Sequence, residues 1–187
     1  MADEDRVKWD RKWAAERDLP RSVPSWVAEL DDELPRAGRA LDVAAGAGRL
    51  AVGMARRGLE VTAVDISPVG LALCREAARD EGLKVQTVVR DLEREGLPPG
   101  AFELICCFHY RQPGLFPAIR DALAPGGLLL AEVATVRSLE KQPSRTARWL
   151  AENNELLRSA EGLEIVSYRE GWFGDKHLAR VAARRPR

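Results

Sequence analysis

Five short apolar runs, separated by glycine-punctuated stretches, constrain the fold of this chain more than any other feature. They read "ALDVA" at 40–44, "EVTAVDI" at 60–66, "KVQTVV" at 84–89, "FELICCF" at 102–108 and "LLLAEVA" at 128–134. Each has the length of a strand, and together they are too apolar for a sheet with one wet face. Helical stretches fall between several of them. One spans 48–57 and is stopped by Gly58; another opens on Pro68 behind a Ser67 cap and stops at Gly82. A third covers 117–123, ahead of "APGG", and "SRTARWLAENNELLRS" at 144–159 reads as a last helix. Strand–helix alternation of this kind specifies an α/β protein with a doubly wound, mostly parallel sheet. The final strands, "LEIVSYRE" and "HLARVAAR", have only the loop "GWFGDK" between them, which predicts an antiparallel C-terminal hairpin at one edge.

The segment before residue 37 has a different character. Over 7–34 it predicts one or two short helices, with Trp9 and Trp13 four apart on one face. Ser22 and Ser25 are available as caps, and Pro24 suits a first turn. We read 1–36 as a helical cap and 37–187 as a core complete without it, the whole forming one domain.

Composition narrows the classes of function. The 187 residues carry 29 basic and 29 acidic side chains, so the excess positive charge that non-specific nucleic-acid binding requires is missing. No apolar run reaches a membrane span, and the start "MADEDRVKWDRKW" has no apolar stretch of a secretion signal. Cys74, Cys106 and Cys107 lack metal-ligand spacing, so no metal site is expected, and unpaired thiols fit a reducing, cytoplasmic setting. No nucleic-acid or membrane partner is expected, and the chain reads as a monomer or weak homodimer.

The turn after the first strand, "DVAAGAG" at 42–48, leads to chemistry. Gly46 and Gly48 let the backbone turn sharply and approach a ligand. With Ala51, and with Asp65 nineteen residues after Gly46, they satisfy the dinucleotide pattern G-x-G-x-x-G/A plus a distant acid. Asp42, at the end of the strand, opposes that reading, because a carboxylate there repels a pyrophosphate and suits an ammonium instead. Asp65, followed by Ile66, is placed to accept hydrogen bonds from ribose hydroxyls. Asp91 and Leu92, after the third strand, offer an acceptor for a purine amino group. "CCFHY", ending the fourth strand, would line the floor of the cleft. A ligand with an ammonium, a ribose and an adenine, but no phosphate, satisfies all four features.

From residue 39 onward the chain resembles the class I S-adenosylmethionine-dependent methyltransferases, a Rossmann-like family. The first motif of that family is an acid followed by alternating glycines; here Ala44 stands in the first glycine's place. The resemblance implies cofactor contacts at Asp42, Ala44, Gly46, Gly48, Asp65, Ile66, Asp91, Leu92 and, from the motif after the fourth strand, Cys107. "LAPGGLLLAE" resembles the turn that precedes the family's fifth strand. "KWDRKW" and "GLEVTAVDISPVGLAL" are similar to small bacterial methyltransferases of the tellurite-resistance type. The reaction implied is direct in-line methyl transfer to a small-molecule acceptor. His109 is the candidate general base, with Tyr110 and Arg111 at the same place, and His177 reads as structural. Trp13, with Trp9, is a candidate to close over the sulfonium through a cation–π contact. An NAD-dependent oxidoreductase and a binding module without turnover are the alternatives.

Overall fold

The computed structural model describes residues 2–16 and 22–187. A seven-stranded sheet carries everything else. Its strands are β1 (Arg39–Val43), β2 (Glu60–Asp65), β3 (Val85–Val89), β4 (Phe102–Phe108), β5 (Leu123–Ala134), β6 (Glu164–Phe173) and β7 (Lys176–Arg184), in the order β3-β2-β1-β4-β5-β7-β6. The first five run parallel, and β7 pairs antiparallel with both β5 and β6. The expected doubly wound sheet with its C-terminal hairpin is therefore what the chain builds.

The helices are α1 (Ala2–Ala15), α2 (Ser25–Ala28), α3 (Arg49–Arg56), α4 (Pro68–Asp80), α5 (Leu92–Glu95), α6 (Phe116–Ala122) and α7 (Glu155–Ser159). Strand residues alternate between two cores. Leu104, Cys106, Leu128 and Leu130 pack with Leu50, Met54 and Leu71 of α3 and α4. Ile105, Cys107, Leu129 and Ala131 pack with Ile119 and Leu156 of α6 and α7. Two covered faces explain why the strands read as almost unbroken apolar runs. The start of α4 follows its sequence: Ser67 Oγ accepts from Gly70 N at 3.0 Å, and Pro68 is the first helical residue.

Four local expectations are corrected. First, α2 opens on Pro24 in the cap position, and neither Ser22 nor Ser25 caps it through a side chain. Residues 17–21 of the predicted N-terminal helices lie outside the described residues. Second, the segment before residue 37 is not merely a cover. Trp26, Val27 and Leu34 are buried with the α3/α4 core, and Trp26 stacks on Phe108 with ring centroids 5.5 Å apart. Third, 144–159 is not one helix. Ala147–Trp149 forms a 3-10 turn, and the Ala151 N–H donates to Ala134 O at 2.8 Å. That bridge to β5 takes the backbone out of helical pairing, and Asn154 at φ 58° resets the chain before α7. Fourth, β5 begins at Leu123, through "APGG", with a bulge against β4. The strands of the C-terminal hairpin likewise extend to Phe173 and Lys176, shrinking the expected loop to Gly174–Asp175, with Gly174 at φ 63°.

Among the described residues no helix is long and apolar enough to cross a membrane.

Candidate active site

The strand order reverses between β1 and β4, and ligands of such sheets bind beyond the carboxyl ends at that point. A cavity of about 720 Å³ opens there. Its lining contains Trp13, Asp42, Ala44, Gly46, Asp65, Ile66, Asp91, Leu92, His109 and Tyr110. Gly48 and Cys107, the other two expected contacts, lie outside it. Gly48 adopts φ 81° and faces Cys74, where any Cβ would collide with the thiol. Cys107 points into the α6/α7 core, and burial pushes its thiol up to about 12, too high for a nucleophile. Strand parity is the reason: Asp42 and Cys107 are not on the same face of the sheet.

Asp42 is 3% exposed, and its Oδ2 accepts from Ala51 N at 2.8 Å, within the first turn of α3. Burial lifts its carboxyl to about 7; the Ala51 hydrogen bond opposes the rise and the Asp65 charge adds to it. A buried carboxyl with one backbone donor, beside a second acid, is a site that a cation would relieve. Asp65 holds the turn itself. Its Oδ2 accepts from Gly46 N and its Oδ1 from Ser67 N, both at 2.8 Å. Burial raises it as well, against those backbone bonds. Asp91 caps α5, its Oδ1 accepting from Glu93 N at 3.0 Å. The three acids thus stand at the ends of β1, β2 and β3, each anchored by backbone and each open to the cavity. Buried acid, tight turn and two further acceptors fit an ammonium-bearing nucleoside.

α1 roofs this half. Asp10 Oδ1 lies 2.5 Å from Ser67 Oγ, and the Trp13 indole sits on the backbone of Gly46 and Gly70. At either glycine a Cβ would strike that ring, so the absence of side chains there is what lets α1 dock. Trp9 stacks on Trp13 at 6.4 Å, and Lys12 Nζ lies 4.7 Å and 4.6 Å from their ring centres.

On the other side of the switch point, His109 follows β4 with φ 58°, a strained value for a residue with a side chain. It is held there by its N–H, which donates to Glu132 O at 2.7 Å. Glu132 is also the buried anchor of this corner. Its Oε2 accepts from Arg180 Nε at 2.7 Å and Trp26 Nε1 at 2.9 Å, and its Oε1 lies 3.4 Å from His109 Nε2. The His109 side chain is 59% exposed at the cleft rim; partial desolvation there lowers its pKa, Glu132 pulls it up, and Lys176, Arg49 and Lys12 push it down again. A neutral imidazole near pH 7 is available to take a proton. Arg111 is turned away into a two-pronged pair with Glu155, 2.7 Å at each prong. His177 lies outside the cavity, its Nδ1 2.8 Å from Thr135 Oγ1 and its ring edge-on to Trp172.

Sequence reading passed over Glu132, Lys12, Trp149 and Lys176. Glu132 had a visible sign, a lone acid inside "LLLAEVATV"; the other three reach the cavity from separate segments and had none.

Comparison with known proteins fits this geometry. A methyltransferase domain family matches residues 40–127. A ubiquinone biosynthesis O-methyltransferase of Marinobacter nauticus is 31% identical over 163 residues, covering 73% of this chain and 68% of that protein. The chain spans less than half the length of several other curated relatives it matches. Among solved structures, TehB from Haemophilus influenzae superposes with a TM-score of 0.74 at 18% identity, over 87% of this chain and 62% of that one. Magnesium protoporphyrin IX methyltransferase from Synechocystis PCC 6803, with bound S-adenosylhomocysteine, gives 0.75 at 15% identity over 98% and 99%.

Proposed function

The chain belongs to the S-adenosylmethionine-dependent methyltransferases, and we propose that it methylates a small-molecule acceptor held against His109. The observation that carries the small-molecule reading is the roof: α1 and the 144–150 segment partly cover a cavity of about 720 Å³. That volume suits a cofactor and one modest acceptor rather than a protein or nucleic-acid strand. Among the matched proteins, the ubiquinone biosynthesis O-methyltransferase is named for a small molecule and a ribosomal protein L11 methyltransferase, 28% identical, for a protein, so the cavity and not the names supports the reading.

Asp42 would hold the cofactor's ammonium, Asp65 its ribose and Asp91 its adenine, with Ala44, Gly46, Ile66 and Leu92 forming the walls. Bound there, the cofactor supplies a methyl group already activated on a sulfonium. The chain's own work is alignment, which contributes on the order of 7–11 kcal/mol in well-oriented systems. Where the acceptor loses a proton, His109 takes it at Nδ1, because Nε2 faces Glu132. Three free, buried thiols are in keeping with a reducing cytoplasm. Among the described residues, the large exposed apolar side chains, Val7, Val89 and Ile165, are scattered over α1, β3 and β6, in keeping with a monomer or weak homodimer.

Calorimetry with S-adenosylmethionine, S-adenosylhomocysteine and NAD, followed by S-adenosylhomocysteine release across a panel of small acceptors, tests the reading. Preference for NAD, or transfer only to macromolecules, refutes it. Cofactor binding with no transfer to any acceptor class favours a binding module.

A further inference from the structure

The charges that line the cavity are not mixed evenly. The lining from 42 to 93 supplies Asp42, Asp65, Asp91 and Glu93, along with Arg49 and Arg90. From Phe108 onward it supplies His109, Arg145 and Lys176, and no acid. The N-terminal segment adds two cations and two acids, Lys8 and Lys12 with Asp5 and Glu16, so the cationic excess of the far side rests on Arg145 and Lys176. Two of these lysines are already seated on aromatic rings. Lys8 Nζ lies 5.6 Å from the Trp9 ring centre and 5.8 Å from that of Trp149, bridging α1 to the 144–150 segment. The remaining walls are apolar, with Phe108, Val133, Leu150 and Leu178.

Burial is the main cause that lowers Lys12, with Glu16 and Asp65 opposing it and Lys176 and Lys8 adding to it; burial likewise lowers His109, with Glu132 opposing it and Lys176, Arg49 and Lys12 adding to it. A sulfonium arriving beside them adds another positive charge. Cations that share one wall of a recessed site, with no acid in the lining from Phe108 onward, favour an anion there. Flanking indoles and apolar walls ask for a flat, apolar body behind that anion.

We infer that the His109 side of the cavity is an acceptor subsite for a planar organic anion, an aromatic carboxylate or phenolate, with its ring beside Trp9 and Trp149 and its charge towards Lys176 and Lys12. This assignment rests on the methyltransferase reading above. It names a class of acceptor, which that reading leaves open.

The test uses the full chain saturated with S-adenosylhomocysteine and three probes of one shape: benzoate, benzamide and benzylamine. Acetate serves as a charge-only control. Benzoate is expected to bind at least about ten-fold more tightly than benzamide or acetate, as for one charge-assisted contact, and benzylamine not at all. Lys176→Ala, at an exposed strand end, should weaken benzoate about ten-fold while leaving benzamide and S-adenosylhomocysteine unchanged. Benzoate no tighter than benzamide, acetate equal to benzoate, benzylamine binding as well as benzoate, or no probe binding at 20 mM would each overturn the inference. None of those outcomes touches the cofactor reading, which falls only if S-adenosylhomocysteine itself fails to bind in the first step.

Discussion

Asp42 couples cofactor binding to pH in a way that can be worked out in advance. Its carboxyl titrates at about 7 because it is buried. In the free protein it is therefore about one-tenth ionised at pH 6.0 and about three-quarters ionised at pH 7.5. A ligand ammonium recognises the ionised form. Apparent affinity scales with the competent fraction, so S-adenosylhomocysteine should bind about eight-fold more tightly at pH 7.5 than at 6.0, or ~1.3 kcal/mol. Binding at pH 6.0 should also release close to one proton. Titration calorimetry in two buffers of different ionisation enthalpy reads both quantities. Asp42→Asn keeps an acceptor for Ala51 N but no titratable group, so the variant should bind at least about ten-fold more weakly at pH 7.5, with the Asp42 share of proton release gone. Stability moves oppositely. Because the folded-state carboxyl titrates above its usual 3.8, its contribution is complete below that value and is lost as pH climbs through 7. Unliganded Asp42→Asn escapes that loss and should be no less stable than the parent above pH 7. A wild-type protein with no proton release, or an Asn variant that keeps the eight-fold pH dependence, would refute the assignment of the ammonium to Asp42.

Other substitutions separate support from chemistry. Glu132→Gln leaves Arg180 without its buried partner and should destabilise the fold by about 2–4 kcal/mol in urea titration; a loss under about 0.5 kcal/mol would mean the pair is solvated. At His109, with φ 58°, Asn tolerates the left-handed backbone and Val does not. His109→Asn should therefore stay within about 1 kcal/mol of the parent, and His109→Val should fall about 1–2 kcal/mol below His109→Asn in the same titration; equal stabilities would remove the claim of strain. Gly48→Ala drives a Cβ into Cys74 inside α4 and should lose about 2–4 kcal/mol of global stability. Gly46→Ala strikes Trp13 instead and should chiefly expose tryptophan to fluorescence quenchers; equal global losses would contradict a separable α1.

Much of the sheet was legible because covering both faces leaves so plain a mark: five apolar runs of strand length, with Gly58 and Gly82 closing helices behind the first two. The acids were legible because each ends or follows a strand, where an open α/β sheet presents its ligands. What the sequence concealed was set by long-range pairing. Residues 144–159 have helical spacing, but the bond from Ala151 to Ala134 competes with a helix and wins. Cys107 looked like cleft floor because it sits one residue from Phe108, and that one residue decides the face. Of the tryptophans in the first segment, Trp26 completes the core while Trp13 roofs the turn, a division that residue spacing does not show. The cationic side of the cavity was hidden because Arg145 and Lys176 come from distant stretches of the chain.

The charge split across the cleft also bears on how ligands find it. With 29 cationic and 29 anionic side chains the protein has no net monopole, so at separations beyond the Debye length of about 8 Å it neither draws nor repels a charged solute. Within that distance the cleft acts as a local dipole, anionic over β1–β3 and cationic towards β4–β7. A zwitterion entering it is turned before it is held. Added salt should therefore lengthen the search for orientation and shorten residence, while leaving the rate of first encounter nearly untouched.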